Sequence, residues 1–160
     1  MLEYRIVEDG HVFTETYLLN GELHREDGPA SVTRRFKDGQ VAWETWYRHG
    51  VPHREDGPAA INYNLETGRV EAIFYFQNGE LRRSDDGPEC IEFDPQTGQI
   101  IDATWWQDDE PAPMTLSHWM WLNRAREAGG ANGRQQMTSL QFHDTPLSGR
   151  AATLSSRSLQ

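Results

Sequence analysis

The chain reads as an all-β protein: a single-layer antiparallel β-meander of about eight strands in hairpin repeats, then one C-terminal α-helix and a flexible tail. Three observations predict this. Asp-Gly-Pro recurs at Asp27-Gly28-Pro29, Asp56-Gly57-Pro58 and Asp86-Gly87-Pro88, at intervals of 29 and 30 residues. The first two copies lie in an identical heptapeptide, His-Arg-Glu-Asp-Gly-Pro-Ala, at residues 24–30 and 53–59. Two further glycine series, Gly21/Gly50/Gly79 and Gly10/Gly39/Gly68/Gly98, keep the same period. A fixed spacing of this size marks stacked copies of one supersecondary unit.

Each element follows from its residues. Asn20-Gly21, His49-Gly50, Asn78-Gly79, Asp9-Gly10 and Asp38-Gly39 are hairpin signals, because glycine takes positive φ without a steric penalty. Two turns per period imply two strands per period, at about 2–8, 12–18, 30–36, 41–48, 59–65, 70–77, 89–94 and 99–106. Val32, Ile61 and Ile91 fall in one column, with polar or small residues on either side, the alternation of half-buried strands. Alternate strands end on aromatic pairs, Trp46-Tyr47, Tyr75-Phe76 and Trp105-Trp106. Proline cannot donate to a ladder, so Pro29, Pro58 and Pro88 belong at strand entrances.

The repeat domain spans residues 1–106. Residues 107–114, with Asp108-Asp109-Glu110 and two prolines, read as an acidic linker. A capping or interaction helix occupies 115–130, with Thr115 as N-cap and Gly129-Gly130 as its stop. Its two apolar stripes, Leu116/Trp119/Met120/Asn123 and His118/Trp121/Leu122/Ala125, merge into one broad face. Residues 131–160 are rich in Gly, Ser, Gln and Thr and are expected to lack a fixed fold without a partner.

Hydrophobic residues make up only 36% of the chain, so its 6 Trp, 5 Tyr and 6 Phe must supply much of the buried area. The net charge is −10, and residues 1–113 alone carry 23 acidic and 10 basic residues. Such a body repels nucleic-acid phosphates and anionic lipid, which argues against direct binding of either and for a basic protein partner. Lys37 is the sole lysine among 15 basic residues; arginine stacks on aromatic rings and forks onto carboxylates better than lysine. Cys90 is the single cysteine, so no internal disulfide is possible, and with no apolar run or leader in sight a cytoplasmic location is expected.

His24, Arg25, Asp27, Gly28 and Pro29, with His53, Arg54, Asp56, Gly57 and Pro58, resemble an acid/base site until the chain is seen to repeat them. A catalytic centre is built once and a corner once per repeat, so these residues, with Asp86, Gly87 and Pro88, are assigned to structural turns. No catalytic residue, cofactor or metal is assigned. An alignment of His24, His53, Asp56 and Asp86 as metal ligands lacks convergent spacing. Trp105, Trp106, Trp119 and Trp121, with Asp108, Asp109 and Glu110, are the candidate partner-binding residues, since Trp is over-represented at interface centres.

Tandem hairpins with aromatic and glycine periodicity resemble MORN-type repeats, on the segments Trp46-Tyr47…Gly50 and Tyr75-Phe76…Asn78-Gly79 and the Gly39, Gly68 and Gly98 turns. The heptapeptide is similar to a repeat of phage, bacterial and giant-virus proteins. The acidic repeats and their aromatic rows point to a non-enzymatic protein-binding module, and the resemblance to phage repeats implies inhibition of a host defence protein, with an acidic, nucleic-acid-mimicking surface as the expected means. Two rivals stand beside it: an immunity or antitoxin protein, and a nucleotide- or nucleic-acid-acting hydrolase using the His-Arg-Glu-Asp loops.

Overall fold

The computed structural model describes residues 1–83, 85, 87–108 and 110–128. The expectations for Asp86, Asp109, Gly129-Gly130 and the tail at 131–160 fall outside the described residues.

Long and short hairpins alternate along the chain. β1 (Leu2–Asp9) and β2 (Val12–Leu19) form the first long hairpin, and β3 (Glu22–Leu23) folds back on the end of β2. β4 (Ser31–Arg35) and β5 (Val41–Thr45) form the next, followed by the short pair β6 (Tyr47–Arg48) and β7 (Val51–Pro52). The unit repeats as β8 (Ala60–Tyr63) and β9 (Val70–Phe74), then β10 (Phe76–Gln77) and β11 (Glu80–Leu81). It repeats again as β12 (Cys90–Phe93) and β13 (Ile100–Thr104), then β14 (Trp106–Gln107) and β15 (Glu110–Pro111), before α1 (Leu116–Glu127). The long strands make one antiparallel meander in the order β1-β2-β4-β5-β8-β9-β12-β13. The expected all-β fold with one helix is what the chain adopts.

Strands expected to run through the aromatic columns instead leave the sheet there. The ladder reaches Trp46, whose N–H bonds Ala59 O at 2.8 Å, and Tyr75, whose N–H bonds Glu89 O at 2.8 Å. One residue further along the neighbouring strand stands Pro58 or Pro88, with no N–H to give. Pairing stops, and the chain folds into the short hairpin. Its turns place Asn20, His49 and Asn78 at φ 54°, 49° and 53°, each followed by a glycine at positive φ. Two successive left-handed residues make the type I′ turn that matches strand twist.

The linker expected at 107–114 is in its first half a fourth short hairpin. Asp108 turns it at φ 51°, and Ala112 N–H bonds Trp105 O. Those bonds repeat the ones from His24 to Tyr17, His53 to Trp46 and Arg82 to Tyr75. The repeat therefore continues to Ala112 rather than ending at Trp106.

The core sits on one face of the sheet and deepens toward the helix. Ile61, Ile73, Ile91 and Ala103 face one another in register across four strands, and Ile73 and Ile91 are wholly buried. In the first repeat the same row holds Glu15 and Glu44 beside Val32, so the core thins toward β1. α1 starts at Thr115, whose hydroxyl accepts from His118 N–H at 3.2 Å, and it buries Trp121, Leu122 and Ala125. The two apolar stripes do not merge. Leu116, Trp119 and Met120 stay exposed, while Trp121, Leu122 and Ala125 join the sheet's core. Among the described residues no helix is long and apolar enough to cross a membrane.

Replacing Ile73 with Ala removes a fully buried side chain and should cost about 2–5 kcal/mol, whereas Ile101→Ala on the exposed face should cost under about 1 kcal/mol. Urea denaturation of both variants checks this. Trp121→Ala should cost about 3–5 kcal/mol by the same measurement, since its ring packs inside the core.

Candidate functional site

The repeated polar loops are built around an arginine. Arg25 lies over the Tyr17 ring with its guanidinium carbon 4.1 Å from the ring centroid, Arg54 over Trp46 at 4.3 Å, and Arg83 over Tyr75 at 4.1 Å. Arg25 and Arg54 each donate from Nε to the aspartate two residues on, Asp27 and Asp56, at 2.8 Å. Arg54 also donates to Pro58 O at 3.3 Å and Arg83 to Pro88 O at 3.4 Å, which closes the loop on itself. The other side of the guanidinium rests on glycine. A methyl group built on Gly28 or Gly57 would stand 3.2 Å from the arginine Cζ, and on Gly87 2.6 Å. These glycines are needed for this close approach, not for a left-handed backbone.

In the third copy the arginine's partner is Asp85, again two residues on. Aligning the copies on Asp-Gly-Pro assigns that role to Asp86. The constant interval between arginine and aspartate places the extra residue after Asp85, not before it. That interval is the signal in the sequence that finds Asp85.

The repeated histidines join one repeat to the next. His24 Nδ1 accepts the N–H of His49 at 3.2 Å, and His53 Nδ1 accepts the N–H of Asn78 at 3.1 Å. Both donors are the left-handed turn residues of the following short hairpin. The His24 ring also meets the His49 ring at 4.5 Å, tilted by 45°. With Nδ1 accepting, the ring proton sits on Nε2, which faces Glu55 at 3.5 Å from His53 and Glu26 at 4.0 Å from His24.

The first two loops converge on one open groove of about 800 Å³. Trp46 and Tyr47 line it between the loops, and Glu26, Asp27, Glu55 and Asp56 stand around it. Glu26 and Glu55 are 88% and 76% exposed at the side chain. The hydrogen bond from Arg25 holds the Asp27 carboxyl below its usual range, and that from Arg54 does the same for Asp56. Of the groove's arginines, Arg25 and Arg54 are thus committed to their own loops, and Arg48 donates to Glu55 at 3.3 Å. A net negative rim over an aromatic floor suits a cationic side chain from outside.

At the fourth corner the helix takes the place of the loop. His118 stacks on Trp105 at 4.3 Å with the rings 5° from parallel, where the other corners carry arginine. Trp121 meets Trp105 edge-on at 5.6 Å. Trp105 and Trp121 are therefore packed inside, while Trp119 is exposed and Trp106 half-buried. Asp108 and Glu110 sit on the fourth short hairpin and are exposed. Arg126 donates to Ile100 O at 3.2 Å and Ile101 O at 3.3 Å, along the outer edge of β13. Burial pushes the Cys90 thiol up to about 11, which keeps it protonated and unreactive. Among the described residues no three His, Cys, Asp or Glu side chains are grouped to hold a metal ion.

No protein-family model, curated protein or solved structure matches the chain significantly.

Gly57→Ala should cost about 1–3 kcal/mol by pushing Arg54 off Trp46, and Arg54→Lys about 1 kcal/mol through the lost stacking and fork, both read by thermal denaturation. Asp27, Asp38, Asp56, Asp94 and Glu15 all have carboxyls held below their usual range, led by arginine or backbone donors. Stability they contribute is complete above the unfolded value, about 4, and lost as pH falls through the folded values. The melting temperature should be level from neutral pH to about 5 and fall below about 4.

Proposed function

We propose that this chain is a non-enzymatic protein-binding module that docks its acidic loop ridge onto a basic protein surface. The observation that carries this reading is the division of charge within each loop. The arginines are folded back onto aromatic rings and bound by their own aspartates, while Glu26 and Glu55 project into solvent. Two strands per repeat set neighbouring loops about 10 Å apart, so the carboxylates form a spaced row. Asp108 and Glu110 lie exposed at the fourth corner. A basic nucleic-acid-binding protein presents the complementary surface, a groove that normally takes phosphates. A phage or mobile-element inhibitor of a host defence protein, working by occlusion of such a groove, fits this chemistry and the character of the repeat.

The shared groove supports a second reading, hydrolysis of a nucleotide or nucleic acid, because the two His-Arg-Glu-Asp loops do meet there. Against it, both histidines already accept a backbone N–H at Nδ1. Neither ring is left to orient a nucleophile without giving up a link between repeats.

A partner purified from the native host with the full chain as bait should bind with a Kd that rises steeply with salt, as a screened contact does. The pair Glu26→Gln and Glu55→Gln should weaken binding several-fold to about tenfold without moving the melting temperature. Affinity indifferent to salt and to these changes overturns the docking reading. Turnover of RNA, DNA or cyclic nucleotides that His53→Ala abolishes in a folded protein would establish the second reading instead.

A further inference from the structure

The two ends of the sheet are finished differently. At β13 the helix covers the edge, and Arg126 occupies the carbonyls of Ile100 and Ile101. At the other end, among the described residues, β1 pairs only with β2, and it is eight residues long, with Leu2, Tyr4, Ile6 and Val7 all at least half exposed. A long, apolar, unprotected edge is a template for another strand.

We propose that this edge is a homodimer interface in which β1 pairs antiparallel with β1 of a second copy, in a register centred on Tyr4. Three constraints lead to it. Asn20 donates to Met1 O, and Met1 stands opposite Asn20 one step beyond the Leu2–Leu19 pair. Antiparallel bonding alternates along the strand, so odd-numbered residues bond β2, and Leu2, Tyr4, Ile6 and Glu8 point their N–H and C=O groups outward. A two-fold partner must therefore set even residues opposite even ones.

Charge and apolar pairing then choose among the allowed registers: centring on Val7 opposes Arg5 to Asp9 but sets Ile6 against Glu8. Centring on Glu3 opposes Glu3 to itself, centring on Arg5 opposes Arg5 to itself, and centring on Ile6 opposes Glu3 to Asp9. Centring on Tyr4 opposes Glu3 to Arg5 twice, and brings Leu2 against Ile6 twice and Tyr4 against Tyr4. Opposite charges and apolar groups directly across a pair of strands stabilise it, and like charges destabilise it. The two-fold operator uses up both free edges, and the covered β13 edge ends growth at two chains.

The test is sedimentation equilibrium of the full chain, with amide exchange as a second readout. The wild type should show a concentration-dependent monomer–dimer equilibrium, with the amides of Tyr4 and Ile6 becoming protected as the dimer fills. Arg5→Glu should raise the dimer Kd about tenfold or more, and the exchanged pair Glu3→Arg with Arg5→Glu should restore it. A chain that stays monomeric at high micromolar concentration overturns the proposal. So does a dimer unaffected by Arg5→Glu, or one that the exchanged pair fails to restore while circular dichroism shows an intact fold.

Discussion

A guanidinium held over an aromatic ring and close against a glycine is the contact on which this architecture depends. It occurs at Arg25, Arg54 and Arg83, over Tyr17, Trp46 and Tyr75, where each long strand's pairing with the next gives out. Only arginine meets the demand, because the group must be planar to lie in the slot and must still fork sideways to a carboxylate and a carbonyl. The near-absence of lysine follows naturally. Once the clasp is set, the loop is closed, and proline arrives where the sheet needs no donor.

The repeat and its sheet were legible because backbone demands leave a periodic trace. Left-handed turns ask for Asn-Gly, ladder ends ask for proline, and the buried row asks for Ile or Val every 29 or 30 residues. The fourth hairpin escaped notice since Asp108-Asp109 carries no glycine, although aspartate tolerates the left-handed region. Asp85 was missed by reading along the loop motif instead of outward from the arginine. The groove was invisible for a different reason. It arises from two loops brought side by side by strand pairing, a lateral relation that no local pattern encodes. Likewise helical spacing places His118 in a stripe with Trp121, Leu122 and Ala125, and its stacking on Trp105 depends on where the helix docks.

Histidine gives the stack a direction. His24 and His53 each reach forward to the turn of the next repeat, so the second and third short hairpins are each supported by the preceding loop as well as by the sheet. In solenoid-like chains such nearest-neighbour terms carry much of the cooperativity. Arg82 ends the series, and the helix supplies closure in place of another loop. Acidity on the loop rims coexists with this order because the cations that would neutralise it are engaged in holding the loops shut.

The interval separating Arg25 from Arg54, and Arg54 from Arg83, is the same, and every contact that defines a corner is made within it or with the adjoining unit. A genetic slip that copies or deletes one whole interval would leave each surviving ring, slot and tether intact. Length is thereby a quantity that recombination can adjust in steps, lengthening or shortening the charged rim to suit the span of whatever it must cover, while the two ends remain as they are.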